Sequence, residues 1–389
     1  MDAQGLAALT PDPYIAVHPV KYGEPRGEGL TMGKQRWLRG VAAVGALGMV
    51  VLMAAPAGAE EATGSVSEPI IEGLIGPLGL DVTNNGTIYV AEGFAGQITR
   101  VAPGGARSVL FASEGASVSG VASTALGRVA ITLSTFPEEE APPLDTTLEL
   151  VNPNGSTITL ASLLDHEVTT NPDAGSSYGF LNLPASCLAK LPPELQPYTG
   201  IVESNPYKVA TLSPISYAVA DAAGNSIVRV TAGQQPRTVA VLPGVPQRIT
   251  PAAAYQNALP LCTVGRVYTS EPVPTDVEVG PDGFWYVSAL PGGPELPNTG
   301  SVFRVNPDTG AVKLVARGFS GAVDLAVADD GTIYVAELDA NRISAISNGV
   351  VSTVVDVFSP GAVEIADDGT IYATTGVFGP SGAVVVVTP

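Results

Sequence analysis

Histidine is almost missing from this sequence of 389 residues, since only His18 and His166 are present. A metal centre built from several histidines is therefore excluded, and Ser/His/Asp chemistry would depend on His166 finding a partner in an irregular segment. We expect His166 to be an ordinary loop residue. No G-x-G-x-x-G segment follows a predicted strand and no phosphate-binding loop is present, which argues against the nucleotide-binding folds.

Basic residues are also scarce, with 18 Lys and Arg against 37 Asp and Glu, for a formal net charge of −19. So acidic a protein repels nucleic acid phosphates and anionic lipid headgroups and attracts cations or basic partners. We therefore predict no nucleic acid partner. High charge also keeps a protein soluble and monomeric, and we expect a monomer.

Methionine does not occur beyond residue 53, and its four positions are Met1, Met32, Met49 and Met53. The segment from Met32 resembles a secretory signal peptide, because a basic stretch, MGKQRWLRG, precedes the apolar run Val41 to Ala55 and the small residues AGA at 57–59. The run is too short to favour a spanning helix, so we predict no membrane span after cleavage. We interpret 1–31 as a start assigned too early, 32–59 as the signal peptide, and the product as secreted, with retention at the cell envelope as an alternative.

Only two cysteines occur, Cys187 and Cys262, and no C-x-x-C spacing suggests a metal site. In a secreted chain an even pair is usually oxidised. We predict a disulfide between them.

Glycine and proline are abundant, at 44 and 34 residues, which is typical of a turn-rich β protein. Four segments repeat one pattern of two short apolar runs joined by a turn: PLGLDVTNNGTIYVAE, PTDVEVGPDGFWYVSA, GAVDLAVADDGTIYVAE and GAVEIADDGTIYAT. The turns have β-hairpin chemistry, because an apolar strand starts too soon after the glycine for an EF-hand calcium loop. Their glycines are Gly86, Gly283, Gly331 and Gly369, and the last three are 48 and 38 residues apart, by position, which suits one propeller blade per repeat.

We therefore predict an all-β fold, a six-bladed β-propeller forming a single domain over residues 68–389. Two stretches interrupt the repeat and are expected to be insertions, at 165–204 and 247–270. The last blade has only three strands of its own, so an N-terminal strand from residues 68–73 should complete it and close the ring.

Acidic residues occur on the predicted innermost strands, where small residues are expected. If the ring closes, they converge on the central channel and offer oxygen ligands to a hard cation such as Ca²⁺, although they equally suit channel water or backbone N–H groups. The candidates for a channel ligand or cation are Asp81, Asp276, Glu278, Asp324 and Glu364.

A second acidic set follows the second strand of several blades. Its members bracket the turn into the third strand, where side chains usually hold the backbone of the turn. We expect both sets on the rim that carries the insertions. The rim candidates are Glu92, Asp221, Asn225, Glu337 and Asn341.

The segments YVAELDANRISAI and AVADAAGNSIVRV resemble the NHL repeat, whose blades have an acidic residue and an asparagine at these places. With the signal peptide, the insertion ending in SNPYKVA and the segment GLIGPLGLDVTNNGTIYVAEGFAGQITRV, the chain is similar to the secreted ScyD/ScyE family of propellers. The resemblance implies a six-bladed extracellular propeller and defines no reaction.

Six-bladed lactonases of the gluconolactonase type are a related comparison, and they hold a divalent metal at the channel mouth. Their ligands cannot be matched here motif by motif, and no catalytic residues are identified. The leading hypothesis is therefore a binding or scaffold module for an extracellular small molecule or protein, with enzymatic activity left open. The alternative is a calcium-dependent hydrolase of lactones or related esters.

Overall fold

The computed structural model describes residues 64–124, 126–136, 143–294, 296–379 and 381–389. The predicted early start at 1–31 and signal peptide at 32–59 lie outside these residues. The described chain is dominated by short antiparallel strands grouped into six main sheets. None of its helices is long and apolar enough to cross a membrane.

The first three blades each have four strands, which run in order from the inner strand to the outer one. Blade one consists of Pro77–Val82, Ile88–Glu92, Gln97–Val101 and Arg107–Ala112. Blade two consists of Ala116–Ser123, Val129–Thr135, Asp145–Val151 and Thr157–Ser162. Blade three consists of Pro206–Ser213, Ser216–Asp221, Ser226–Thr231 and Arg237–Val241.

Blades four and five repeat this order, and blade six combines both ends of the described chain. Blade four consists of Pro274–Val279, Trp285–Ala289, Gly300–Val305 and Val312–Phe319, and blade five of Ala322–Val327, Ile333–Glu337, Arg342–Ser347 and Val350–Asp356. Blade six has Val363–Ile365, Ile371–Thr375 and Gly382–Thr388, and Ser65–Val66 and Ile71–Leu74 pair with the last of these. The N-terminal closure of the ring is therefore confirmed, with Ile71 opposite Val384.

Hairpin chemistry explains why the repeated segments form inner and second strands. Gly86, Gly283, Gly331 and Gly369 have φ between +78° and +84°, a conformation that residues with a Cβ rarely adopt. In the last two turns an aspartate holds the chain reversal, since Asp330 and Asp368 each accept a hydrogen bond from the backbone N–H two residues later. Both are turn residues, as predicted.

The six inner strands contact one another in sequence, and the inner strand of blade six contacts that of blade one. They therefore enclose a central channel. Small residues are required where neighbouring backbones approach, because a Cβ on Gly79 would lie 2.5 Å from the Ser119 carbonyl oxygen. Apolar clusters fill the spaces between adjacent sheets.

Two irregular stretches at one end of the propeller pack against each other. The first contains helix α1 (Leu163–Thr170), a strand pair (Ser177–Tyr178 with Tyr198–Thr199), helix α2 (Ala185–Leu188) and a 3₁₀ turn (Pro193–Leu195). The second contains the pair Val245–Arg248 and Val267–Ser270, helix α3 (Pro251–Gln256) and a 3₁₀ turn (Leu261–Thr263). A separate apolar cluster joins them, including Phe180 edge-on to Tyr268 with ring centroids 4.9 Å apart.

The predicted disulfide is confirmed: Cys187 and Cys262 are bonded, with Cα atoms 5.9 Å apart. It ties the two irregular stretches together. Helix α1 was not predicted from the sequence, although Ser162 caps it by accepting a hydrogen bond from Asp165 N at 3.0 Å.

Candidate functional site in the central channel

The channel is lined by two rings of polar side chains, one nearer each end. The irregular stretches lead directly into the inner strands of blades three and four. The start of each inner strand therefore lies at the end of the propeller that carries the irregular stretches. Strand register places the first ring (Lys208, Asp276 and Asp324) near that start. The second ring (Asp81, Glu278 and Glu364) lies two residues further along, opposite tyrosines of the second strands.

The first ring contains a buried ion pair. Lys208 Nζ contacts Asp324 Oδ2, and both side chains are less than a tenth exposed. Burial alone would lower the pKa of Lys208, but Asp324 and Asp276 outweigh it and raise the pKa above its ordinary value, so the ammonium stays charged. Backbone donors also hold the carboxylates, since Asp276 Oδ2 accepts from Leu325 N at 3.1 Å. Lys208 therefore provides a fixed positive charge in this ring.

The second ring has no such cation. No Lys or Arg of the described chain forms an ion pair with Asp81, Glu278 or Glu364. Asp81 Oδ1 accepts hydrogen bonds from Ser123 N at 3.0 Å and Ser123 Oγ at 3.3 Å, while its Oδ2 atom is buried without a partner. Burial, followed by repulsion from other channel carboxylates, raises the pKa of Glu278 and Glu364 well above the ordinary value. Unliganded, these two groups hold protons more readily than ordinary carboxyls.

The five acidic channel candidates thus come together, but not as a ready metal centre. Across the described ranges, no group of three or more His, Cys, Asp or Glu side chains is arranged to hold a metal ion. Lys208 already supplies a cation to the first ring. The predicted Ca²⁺ in the channel therefore has no ligand set formed by acidic side chains alone.

Sequence reasoning missed Lys208 because the repeats were aligned on turn glycines, and the hairpin of blade three turns at Pro214 and Ile215 instead. Another alignment could have found it. Pro77, Pro206 and Pro274 each start an inner strand, and the residue two positions later is Gly79, Lys208 or Asp276.

The rim candidates Glu92 and Glu337 hold equivalent turns together. Glu92 is fully buried and accepts from Ile75 N at 2.7 Å, Gln97 Nε2 at 2.9 Å and Thr99 Oγ1. It also contacts Arg107 Nη2 at 3.3 Å.

Glu337 has the same kinds of partner. It accepts from Ser320 N at 2.7 Å, from Ser344 Oγ, and from Arg342 Nε at 2.7 Å and Nη2 at 3.0 Å. Both glutamates tie the loop before the inner strand to the third strand of the same blade, so their hydrogen bonds are structural.

The remaining rim candidates also hold backbone. Asp221 accepts from Asn205 N at 2.7 Å and from Ser204 Oγ at 2.6 Å. Asn225 and Asn341 adopt φ of +53° and +54°. Their side-chain oxygens accept from the backbone leading into the next blade, at Val273 N (3.2 Å) and Ser359 N (2.8 Å).

A second acidic group was not found from the sequence. Glu167, Asp173 and Glu203 lie in the first irregular stretch and are buried beside Asp221. They are scattered over 37 positions of a proline-rich segment with no periodic pattern, so only the fold brings them together.

His166 is half-buried on α1, rather than an ordinary loop residue, and its Nε2 atom lies 2.8 Å from Thr238 Oγ1. Residues 175–179, GSSYG, match the G-x-S-x-G pattern of serine hydrolases. In serine hydrolases the serine of this pattern lies on a sharp turn between a strand and a helix. Ser177 instead lies in a two-residue strand that pairs with Tyr198–Thr199, so the match is to the sequence pattern and not to the structure.

No protein-family model matches the sequence, and no curated protein is significantly similar to it. Solved structures are similar in fold. A putative oxidoreductase (glucose dehydrogenase) from Thermus thermophilus matches with a TM-score of 0.52 and 15% identity, covering 83% of this chain and 100% of that one. A gluconolactonase from Xanthomonas campestris matches with a TM-score of 0.51 and 11% identity, covering 82% and 88%.

A virginiamycin B lyase from Staphylococcus aureus has a TM-score of 0.48 and 15% identity, covering 84% of this chain and 99% of that one. The resemblance to the NHL repeat and to the ScyD/ScyE family stays a prediction. At these identities the similarity concerns the fold alone, and it agrees with the six sheets: the protein is a six-bladed β-propeller.

Proposed function

We propose that this protein is a secreted binding or scaffold propeller and that its channel takes a small, positively charged ligand. The second ring carries the proposal. Its three acidic side chains interact electrostatically and have no basic ion-pair partner among the described residues, whereas the first ring has Lys208. A ligand cation in the channel would play the same part for the second ring.

An organic ammonium group suits this ring better than a bare metal ion. A hydrogen-bonding ammonium can be held by single carboxylates that are separated from one another, whereas Ca²⁺ needs six to eight oxygens close around it. Tyr207 lies beside the first ring, since its hydroxyl group interacts electrostatically with Lys208, Asp324 and Asp276. The channel thus combines an aromatic phenol with excess negative charge, both of which attract cations.

Secretion is part of the proposal. The disulfide supports it, because such bonds persist outside the reducing cytosol. The predicted signal peptide and the acidic composition agree with it. We propose that the protein acts as a monomer, and that any attachment to the cell envelope occurs through a bound partner.

The test is isothermal titration of the purified protein with spermidine and, separately, with Ca²⁺. We expect spermidine to bind more tightly as the pH rises, because the cation favours the ionised form of Glu278 and Glu364. The double variant Glu278→Gln/Glu364→Gln should weaken binding at least tenfold, since both charges are lost.

Asp308→Asn, on an exposed turn, is the matched control and should bind as the parent does. Absence of spermidine binding at millimolar concentration would overturn the proposal. Turnover of a lactone panel that requires Ca²⁺ and is abolished by Asp276→Ala would instead support the hydrolase alternative.

A further inference from the structure

A cleft lies between blades four and five, at the end of the propeller opposite the irregular stretches. It is lined by both hairpin turns of blade five, including Asp330 and Gly331 at the end of the inner strand, and Ser347 and Asn348. Its volume is about 500 Å³, within the range of roughly 300–1,000 Å³ that is usual for small-molecule sites. None of the channel residues lines this space, which we call the interblade cleft, so it is separate from both rings.

Blade four provides one polar wall of the interblade cleft. Tyr286, Arg304 and Lys313 are directly paired on its second, third and fourth strands, so all three side chains project from the same face of the sheet. Ile333 and Ile346 of blade five pack in one apolar cluster with Tyr286 and also line the cleft. The cleft thus has an apolar floor between the two blades and a basic wall above it.

Contacts within blade four hold part of this wall in place. Asp282 Oδ2 accepts a hydrogen bond from Tyr286 OH at 3.0 Å and lies 3.0 Å from Arg304 Nη2. The Arg304 guanidinium also lies over the ring of Phe284, 3.5 Å from its centroid. Arg304 Nε has no acceptor in the described chain, so Asp282 does not satisfy the guanidinium fully. The wall is therefore ordered before a ligand arrives, which reduces the entropy that binding costs.

Lys313 is the free positive charge of the cleft. It is exposed and forms no ion pair with any described residue. Blade one has Tyr89 and Arg100 at the equivalent paired positions, but it has Ser108 where blade four has Lys313. The lysine is thus a departure from the repeat in a chain that has few basic residues, and it suits an anionic group.

The wall from blade five offers groups that bind hydroxyls. Asp330 Oδ1 accepts from Thr332 N at 2.8 Å, and this hydrogen bond lowers the pKa of Asp330, so the group stays a carboxylate with further acceptor sites. Ser347 and Asn348 are exposed and add a hydroxyl and an amide, which both donate and accept. Asp330 would repel a ligand with several negative charges. A ligand with one acidic group and several hydroxyl groups suits both walls.

We propose that the interblade cleft binds a sugar that carries a carboxylate, namely a uronate residue. The sugar carboxylate pairs with Lys313 and with the Arg304 guanidinium beside it. The sugar hydroxyls bond to Asp330, Ser347 and Asn348, and the apolar face of the ring lies toward the floor of the cleft. The uronate can be a free sugar or one residue of an acidic polysaccharide, since the chemistry that recognises it is the same.

The test is saturation-transfer-difference NMR, in which the purified protein is titrated in parallel with galacturonate, galactose and acetate. We expect galacturonate to bind in the millimolar range or more tightly, and about tenfold better than galactose, which lacks the carboxylate, or acetate, which lacks the hydroxyls. Added salt should weaken the binding, because Lys313 is exposed to solvent. Tighter binding of trigalacturonate than of the monomer indicates a polysaccharide as the source, whereas equal binding indicates the free sugar.

Lys313→Gln is the decisive variant. Its charge has no ion-pair partner in the described chain, so the variant should melt as the parent does, and galacturonate binding should fall about tenfold or more. Arg317→Gln is the matched control, since it removes an equal charge from an exposed position on the same strand, outside the cleft. It should bind galacturonate as the parent does.

Ser347→Trp blocks the cleft without changing its charge and should abolish galacturonate binding. The channel variant Glu278→Gln/Glu364→Gln should retain it, so the result is independent of whether spermidine binds in the channel. Three outcomes overturn the proposal: no galacturonate binding at millimolar concentration, equal affinity of Lys313→Gln and the parent, or equal losses in Lys313→Gln and Arg317→Gln, which would indicate an effect of net charge alone. Acetate binding as tightly as galacturonate overturns the assignment to a sugar.

Discussion

Each ring of the channel takes its three side chains from three inner strands, and only the first ring contains a lysine. The first ring belongs to blades three, four and five, and the second to blades one, four and six. In the first ring Lys208 is paired with Asp324 and stabilises Asp276 electrostatically. In the second ring Glu278 and Glu364 have other carboxyls as their charged neighbours. A buried carboxylate with a built-in cation is a structural element, whereas one without a cation is available to bind something else.

The rim candidates show the same contrast between acidic residues with and without a basic neighbour. Glu92 and Glu337 are buried beside Arg107 and Arg342, and their hydrogen bonds hold the loop and strands of one blade together. Asp221 has the equivalent place in blade three, but it has Glu167 near it instead of an arginine. The departures from the repeat, rather than the repeat itself, therefore mark where buried acidic side chains lack a basic partner.

The largest effect is expected on removing the cation of the first ring. Lys208→Met leaves Asp324 and Asp276 buried with no neutralising charge, and breaking a buried pair in this way costs about 3–5 kcal/mol of stability. Urea unfolding at pH 7 would measure the loss.

Removing one of the two acidic groups that this variant leaves without a cation checks the reason for that loss. In Lys208→Met/Asp324→Asn the amide oxygen still accepts from Val363 N, which now donates to Asp324. We expect this double variant to regain much of the lost stability. If it is no more stable than Lys208→Met, packing of the lysine side chain and not its charge holds the first ring.

The fold could be predicted from the sequence because each hairpin is specified by residues that are close together in the chain. The hairpin turns require glycine at positive φ, and the strands around them alternate in polarity, so Gly331 and Gly369 identify their blades without knowledge of any distant contact. Closure of the ring followed from the missing fourth strand of blade six. The disulfide followed from there being only two cysteines.

The chemistry of the site was less predictable because it depends on which strands become neighbours. Asp324 is a channel residue in the repeat, but its partner Lys208 is 116 positions away. Glu167 and Asp221 belong to an irregular stretch and a blade, respectively, and no periodicity relates them. Helix α1 was missed for a similar reason, since LLDHEVTT is short and its buried face is defined by contact with the blades.

A smaller effect is expected on the pH dependence of stability. The folded-state pKa values of Glu278 and Glu364 lie above the ordinary 4.5, so the folded protein binds more protons than the unfolded chain above that pH. Stability should therefore fall as pH rises from about 4.5 through the raised values. The other charged groups of the channel are Asp81, Asp276, Asp324 and Lys208, and the pKa of Asp81 and Asp276 is raised too.

Glu278→Gln should reduce that slope, because one titrating group of the second ring is gone. Melting temperatures between pH 4 and pH 9 would show the variant equal to the parent at acid pH and more stable at alkaline pH. Parallel curves for the two proteins would mean that Glu278 has an ordinary pKa and that the second ring is well hydrated.

The smallest effect concerns Asp81 of the second ring, which accepts hydrogen bonds from Ser123. Ser123→Ala removes the hydroxyl that donates to Asp81 Oδ1 at 3.3 Å and keeps the Ser123 N–H, so a cost of about 0.5–1.5 kcal/mol is expected when Asp81 is ionised. At acid pH Asp81 is protonated and needs the donor less, so the cost should shrink toward zero. Urea unfolding at pH 4 and pH 8 measures both values. A cost that is independent of pH would place the effect in packing, whereas growth with pH would show that the second ring lacks donors for its charge and that a cationic ligand could supply them.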